Sequence, residues 1–319
     1  KNDAFQQADR VYSFVRLANG AKSKTPSPVK LLKTQNKLSG SVYIELESGQ
    51  KQKIPYTWLR MKQKFEMQIP KVTTSQLLQD TYLRRGHDPF VITDALKTWP
   101  AMQRWRDLKY LDALMKNEWV DFYAENMYAV GNKPIVMKSR EAMTRFINVE
   151  SQDDVSGKPR YLQYRLSLDG WRKLEHDLFT DNNRPNAPER ANGTARYLPP
   201  VMWTEADWIH CFGSDDVIDN FYRTNQWNML LIGEVDTGIF FHHDHLAAAS
   251  WSAQVVGRKE WVICPFNQSN LLHIDIHTFD PDYSRFPDFA EALCGTVTVH
   301  EGELLYYPAY WCVLPADGC

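Results

Sequence analysis

After Trp227 the chain is broken at short intervals. Asn228-Met-Leu-Leu-Ile-Gly, Ile239 to Asp244, Trp251 to Val256, Glu260 to Cys264, Thr296 to Val299 and Glu303 to Tyr307 are separated by Gly, Pro, Asp and Asn. Short apolar runs bounded by turn residues predict closely spaced strands, hence a β-sandwich or barrel. Upstream the pattern is mixed. Thr73-Thr-Ser-Gln-Leu-Leu caps and starts a helix that Gly86 can end, and Ser139-Arg-Glu-Ala-Met-Thr-Arg-Phe-Ile has an N-cap and helical apolar spacing. Pro89-Phe-Val-Ile-Thr and Arg160-Tyr-Leu-Gln-Tyr-Arg-Leu read as strands. The expected fold class is α+β, mainly β, with helices coming mostly before the β-rich part.

The composition excludes a disordered chain, because 15 Phe, 15 Tyr and 11 Trp in 319 residues supply the apolar area that ordering a backbone requires. Formal charge nearly cancels at −2 but is unevenly placed: Lys1 to Lys64 holds 13 basic and 4 acidic residues. Residues 1–72 therefore read as a basic extension, with a linker-like Ala21-Lys-Ser-Lys-Thr-Pro-Ser-Pro and a small hairpin over 41–56 turning at Ser48-Gly49. Residues 73–319 read as the folded domain. The arm lacks aromatic interleaving, so nucleic-acid contact is expected to be weak at most. The longest apolar run, Leu304 to Ala316, carries two prolines and three tyrosines and is too short to span a bilayer, so no membrane partner is expected. Five cysteines without CxxC spacing predict buried free thiols and no zinc-thiolate site. The compartment stays open, nuclear or cytoplasmic being preferred, and a leader ahead of Lys1 is left open too.

Metal-capable side chains are densest in Phe240-Phe-His-His-Asp-His245. On an extended strand alternate residues share a face, so His242 and Asp244 project together, whereas His243 and His245 turn away. A facial triad of two histidines and a carboxylate holds Fe(II) on one side and leaves the other positions to co-substrate and oxygen, and His-x-Asp is two-thirds of such a site. Seventeen residues after His242 comes Lys259, beyond a Gly turn. In a small barrel that spacing lets a neighbouring strand aim an ammonium into the same cavity, where it can pair with the far carboxylate of a dicarboxylate ligand.

His242-His-Asp244, the spacer ending Val256-Gly-Arg-Lys259-Glu-Trp, and Gly302-Glu-Leu-Leu-Tyr-Tyr-Pro-Ala-Tyr-Trp311 follow one another as in the JmjC-domain (cupin-type) Fe(II)- and 2-oxoglutarate-dependent oxygenases, which the chain resembles from about Thr73 to Trp311. Asp280-Pro-Asp-Tyr-Ser-Arg-Phe-Pro-Asp-Phe, Tyr161-Leu-Gln and Pro89-Phe-Val-Ile look like the branch containing the asparaginyl hydroxylase of hypoxia-inducible factor. The spacer after Asp244 looks more like JmjC lysyl hydroxylases and histone demethylases. The resemblance implies a double-stranded β-helix (jelly-roll) core with surrounding N-terminal helices. It implies Fe(II) on His242 and Asp244, and 2-oxoglutarate with its distal carboxylate on Lys259 beside the Tyr161 hydroxyl. It further implies a protein or peptide substrate that is hydroxylated or demethylated.

The chain departs from that pattern at the third ligand. The family places a histidine one or two residues after the late Trp, but Trp311 is followed by Cys312-Val313, and His300, before a turn at Glu301-Gly302, is expected to lie away from the metal. Cys312 is one substitute donor. A shortened product whose tail, Cys312 to Cys319, does not continue the barrel is a second reading, and a non-catalytic peptide-binding module on the same fold is a third. Ile239 and Ser252 stand where the family often has a hydroxyl residue and an Asn.

Overall fold

A computed structural model describes residues 11–16, 22–33, 41–46, 48–55, 59–61, 67–123, 133–147, 160–178, 214–225, 228–235, 237–244, 248–273, 275–279, 281–282 and 285–318. The first five strands are β1 (Val11–Arg16), β2 (Lys22–Lys33), β3 (Ser41–Leu46), β4 (Lys51–Pro55) and β5 (Leu59–Met61), and they form one antiparallel sheet in the order β4-β3-β2-β1-β5. The linker-like stretch is thus a strand. Its prolines are tolerated because Lys22 to Pro28 pairs only with β1, the β3 ladder beginning at Val29, so one edge of the proline-bearing half needs no ladder donor. The β3–β4 turn uses Gly49 at φ +79°, the left-handed region that a side chain would strain.

From Lys71 helices and strands alternate: β6 (Lys71–Val72), α1 (Thr74–Gln79), β7 (Phe90–Ile92), α2 (Ala101–Arg104), α3 (Leu108–Met115), β8 (Trp119–Tyr123), β9 (Ile135–Lys138), α4 (Ser139–Ile147), β10 (Tyr161–Arg165), α5 (Leu168–Leu178) and α6 (Asp215–Asn225). The rest is nearly all strand: β11 (Met229–Gly233), β12 (Ser250–Ala253), β13 (Arg258–Cys264), β14 (Gly295–His300), β15 (Leu304–Tyr307) and β16 (Cys312–Gly318). These make sheets ordered β11-β10-β8-β9, β12-β15-β7-β6 and β14-β13-β16. α1 begins at Thr73, whose hydroxyl accepts from Gln76 N–H while the Gln76 side chain accepts from Thr73 N–H, the reciprocal cap its sequence predicted. None of the described helices is long and apolar enough to cross a membrane.

Strand alternation sorts the core into layers. Phe90 and Ile92 of β7 and Leu304 and Tyr306 of β15 face the helices, packing with Leu77, Leu111, Met115, Phe146 and Leu174. Val91, Leu305 and Tyr307, one residue out of phase, face Trp261, Ile263, Val297, Val299 and Val313 of the β14-β13-β16 sheet. The β7–β15 pair is therefore buried on both faces, and both strands are wholly apolar rather than alternating. The outer face of β13, Val262 and Cys264, packs under Phe286, Phe289 and Ala292 in a third layer. Sheet on sheet with helices on one side is a mainly-β α+β jelly roll.

Two expectations are corrected here. Cys264 and Cys294 form a disulfide, because the fold brings the end of β13 beside the residue before β14, a juxtaposition that spacing in the chain does not reveal; Cys312 stays a buried free thiol, while Cys211 and Cys319 lie outside the described residues. The tail does continue the β structure, with β16 pairing antiparallel to β13 from Cys264–Cys312 to Arg258–Gly318. Its proline and glycine hide the alternation. An edge strand tolerates them because the ladder to β13 supplies the register.

One buried carboxylate of the helical layer is matched by three donors. Asp177 accepts from Arg104 Nη1 at 2.6 Å, Trp105 Nε1 at 2.9 Å and Tyr110 Oη at 2.8 Å, which ties α2 and α3 to α5. Tyr306 donates to the Gly86 carbonyl at 2.9 Å, and burial pushes its phenol up to about 12 from 10.0. The raised value means that the folded state holds the proton more tightly than the unfolded chain, so this contribution is intact below pH 10 and is lost as pH climbs towards 12. Urea midpoints measured across that window are expected to fall with pH, and Tyr306→Phe is expected to flatten part of the slope.

Candidate metal and co-substrate site

His242 enters the site through its backbone. It accepts from Val313 N–H at 2.7 Å and donates to the Val313 carbonyl at 3.1 Å, an isolated antiparallel bridge to β16. The expected strand over 239–244 is otherwise not continuous. One bridge suffices to orient the ring. His242 Nδ1 lies 2.8 Å from the Phe240 carbonyl, which can only accept, so in the neutral ring Nδ1 carries the proton and Nε2 presents its lone pair. That lone pair faces Asp244 Oδ1 at 3.8 Å.

Asp244 is held from its other oxygen. Oδ2 accepts from Tyr307 Oη at 2.9 Å and from Ser250 Oγ, residues that lie directly opposite one another on β15 and β12. Burial, and then the Asp244 charge, raise the Tyr307 phenol well above its ordinary range, so it stays a donor. Oδ1 is left turned towards His242, in the manner by which outer hydrogen bonds orient metal-ligating carboxylates. Sequence reading missed Tyr307 and Ser250. In Leu304-Leu-Tyr-Tyr every residue is apolar or amphipathic, so no alternation marks the face on which Tyr307 points.

Lys259 projects from the inward face of β13 with Trp261 and Ile263 and is only 5% exposed. Its ammonium lies 5.5 Å from the centre of the Tyr161 ring and 5.9 Å from that of Trp261, near enough for cation–π attraction. Trp261 in turn stands 5.9 Å, ring to ring, from the Tyr307 that holds Asp244. A chain of contacts thus runs from the His242–Asp244 pair to the lysine along one interior. Tyr161, fully buried in β10, packs with Tyr123 and Ile239, the latter filling with hydrocarbon the place where a hydroxyl was considered.

The remaining candidates separate by face. Val313, wholly buried, lies in the interior cluster with Trp261 and Tyr307. Cys312 lies in the opposite layer with Phe241, Val262 and the Cys264–Cys294 bridge, and burial pushes its thiol up to about 11. A thiol buried on the wrong side of the strand is not placed to replace the missing ligand, which corrects the reading of Cys312 as a substitute donor. His243 is exposed, His300 ends β14 with its N–H on Glu303 Oε2, and His273 packs on Phe286 while His277 meets Phe279 edge-on, both rings of the disulfide layer; His245 lies outside the described residues. Among the described residues no group of three His, Cys, Asp or Glu side chains is arranged to hold a metal. Two donors and a buried cation suit a divalent ion with an anionic chelating ligand. Among the described residues, a site with three protein donors does not fit.

The family model described as the cupin-like domain matches residues 75–312. Similar curated proteins include the 2-oxoglutarate and iron-dependent oxygenase JMJD4 of Gallus gallus, 27% identical over 125 residues, which is 36% of this chain and 28% of that protein. JmjC domain-containing protein D of Dictyostelium discoideum is 23% identical over 265 residues, covering 78% of this chain and 53% of its own length. Arginine-specific demethylase JMJ20 of Arabidopsis thaliana is 24% identical over 135 residues, 37% of this chain and 29% of that protein. The matched regions thus span about a quarter to a half of these relatives.

Proposed function

Given that the chain belongs to the cupin-like domain family, we propose that it is an Fe(II)- and 2-oxoglutarate-dependent oxygenase of the JmjC type that acts on a protein side chain. One observation carries the reading: Asp244, turned by Tyr307 and Ser250, presents an oxygen to His242 Nε2, while the buried Lys259 ammonium stands further along the same interior. His242 and Asp244 would hold the metal, and Lys259, beside Tyr161, would take the distal carboxylate of 2-oxoglutarate. When bound, that metal and co-substrate supply oxygen activation at a C–H bond. The chain's own residues orient them. The Phe240 carbonyl keeps the proton on Nδ1, Tyr307 and Ser250 fix the carboxylate, and the aromatic wall of Trp261 and Tyr161 keeps water from the ammonium. The pieces resembling the asparaginyl-hydroxylase branch favour hydroxylation, with removal of N-methyl groups as the same chemistry on a neighbouring atom.

Val313 favours a second reading, a module of the same fold that holds a peptide without turnover. Titration with Fe(II) under anaerobic conditions, followed by 2-oxoglutarate and then oxygen, separates the two. The oxygenase is expected to bind 2-oxoglutarate in a metal-dependent way and to release succinate. A folded protein that binds neither and releases none is the module.

A further inference from the structure

We infer that the third corner of this site falls at position 313 and not at 312, so that a buried valine closes the His242–Asp244 pair on one side with hydrocarbon. The inference rests on reading those two residues as metal donors, and on no turnover. Register carries it. His242 and Val313 exchange both backbone hydrogen bonds, at 3.1 and 2.7 Å, and directly opposed residues of an antiparallel pair project on the same side of the ladder. Successive strand residues point to opposite sides, so Cys312 is turned away. Packing gives the same answer independently. Val313 shares its cluster with Tyr307, the residue that holds Asp244, whereas Cys312 is buried against Phe241 and the disulfide layer.

A donor placed at 313 therefore joins the rim on which His242 Nε2 and Asp244 Oδ1 already face each other, and one placed at 312 is lost in the opposite layer. Among the described residues, two side chains, His242 and Asp244, are offered to a divalent ion. Occupancy is then set by whatever chelating anion and water complete the coordination, and binding is correspondingly weak without 2-oxoglutarate.

Co(II) is the probe, titrated by calorimetry and visible absorption into the full chain, Val313→His, Cys312→His and the double variant Val313→His with His242→Ala. Val313→His is expected to tighten Co(II) at least ~tenfold, with Cys312→His within ~twofold of the parent and the double variant losing the gain. Should histidine be too large for the buried position, Val313→Cys is close to valine in volume, and its thiolate is expected to give a thiolate-to-cobalt charge-transfer band that the parent lacks. A gain from Cys312→His equal to that from Val313→His, a gain that survives His242→Ala, or no gain from any folded variant at 313 overturns the assignment. Failure of the oxygenase reading looks different: Val313→His gains cobalt, yet neither it nor the parent retains 2-oxoglutarate through Lys259.

Discussion

Lys259→Met is expected to weaken 2-oxoglutarate binding by roughly 100-fold, since removing one partner of a buried, hydrogen-bonded charge pair costs about 2–5 kcal/mol and each 1.4 kcal/mol is tenfold. Methionine is chosen because it matches the length of the lysine stem and can pack between the Tyr161 and Trp261 rings that flank the ammonium. Affinity should fall much further than the thermal midpoint, because methionine keeps the stem's packing against both rings while the charge is lost. Calorimetry with Mn(II) and 2-oxoglutarate reads the first quantity and a melt reads the second. Lys259→Arg keeps the charge but lengthens it, and partial recovery is expected. Unchanged affinity in Lys259→Met would remove the lysine from the co-substrate site.

Phe90→Ala is expected to cost about 3–5 kcal/mol, the range for emptying a large aromatic site in a well-packed core. The ring is fully buried, stands 5.0 Å from that of Tyr306, and belongs to the strand that lies between β15 and β6. Against a typical total of about 5–15 kcal/mol this is a large fraction, so the urea midpoint should drop sharply. Leu78→Ala, on the exposed side of the nearby α1, is expected to stay within about 0.5 kcal/mol of the parent.

What could be read in the sequence depended on whether a local pattern reported a local cause. The Thr73 cap, β7, α4, β10 and the strands β11 to β15 were legible because N-cap chemistry and turn residues act over a few positions. His242 and Asp244 do face each other at 3.8 Å, but through the bridge to Val313 and the hold of Tyr307 and Ser250 on the carboxylate, since the regular strand expected over 239–244 is absent. β2 was not legible, because its prolines are harmless only where one edge lacks a partner, and partners are a property of the sheet. β16 was not, because β13 imposes its register. The Cys264–Cys294 bridge, the grip of Tyr307 and Ser250 on Asp244, and the sorting of Val313 from Cys312 all arise where distant segments meet. No spacing rule within a single strand reaches them.

Tyr307 serves two masters: its ring fills the space between two sheets and its hydroxyl steadies a carboxylate. The exactness of aim at Asp244 is therefore borrowed from the tightness of the interior around it. A purely oily substitution several residues away from any charge can introduce slack at the centre without touching a ligand. By the same token, warming should blur the aim of that carboxylate well before the protein itself comes apart.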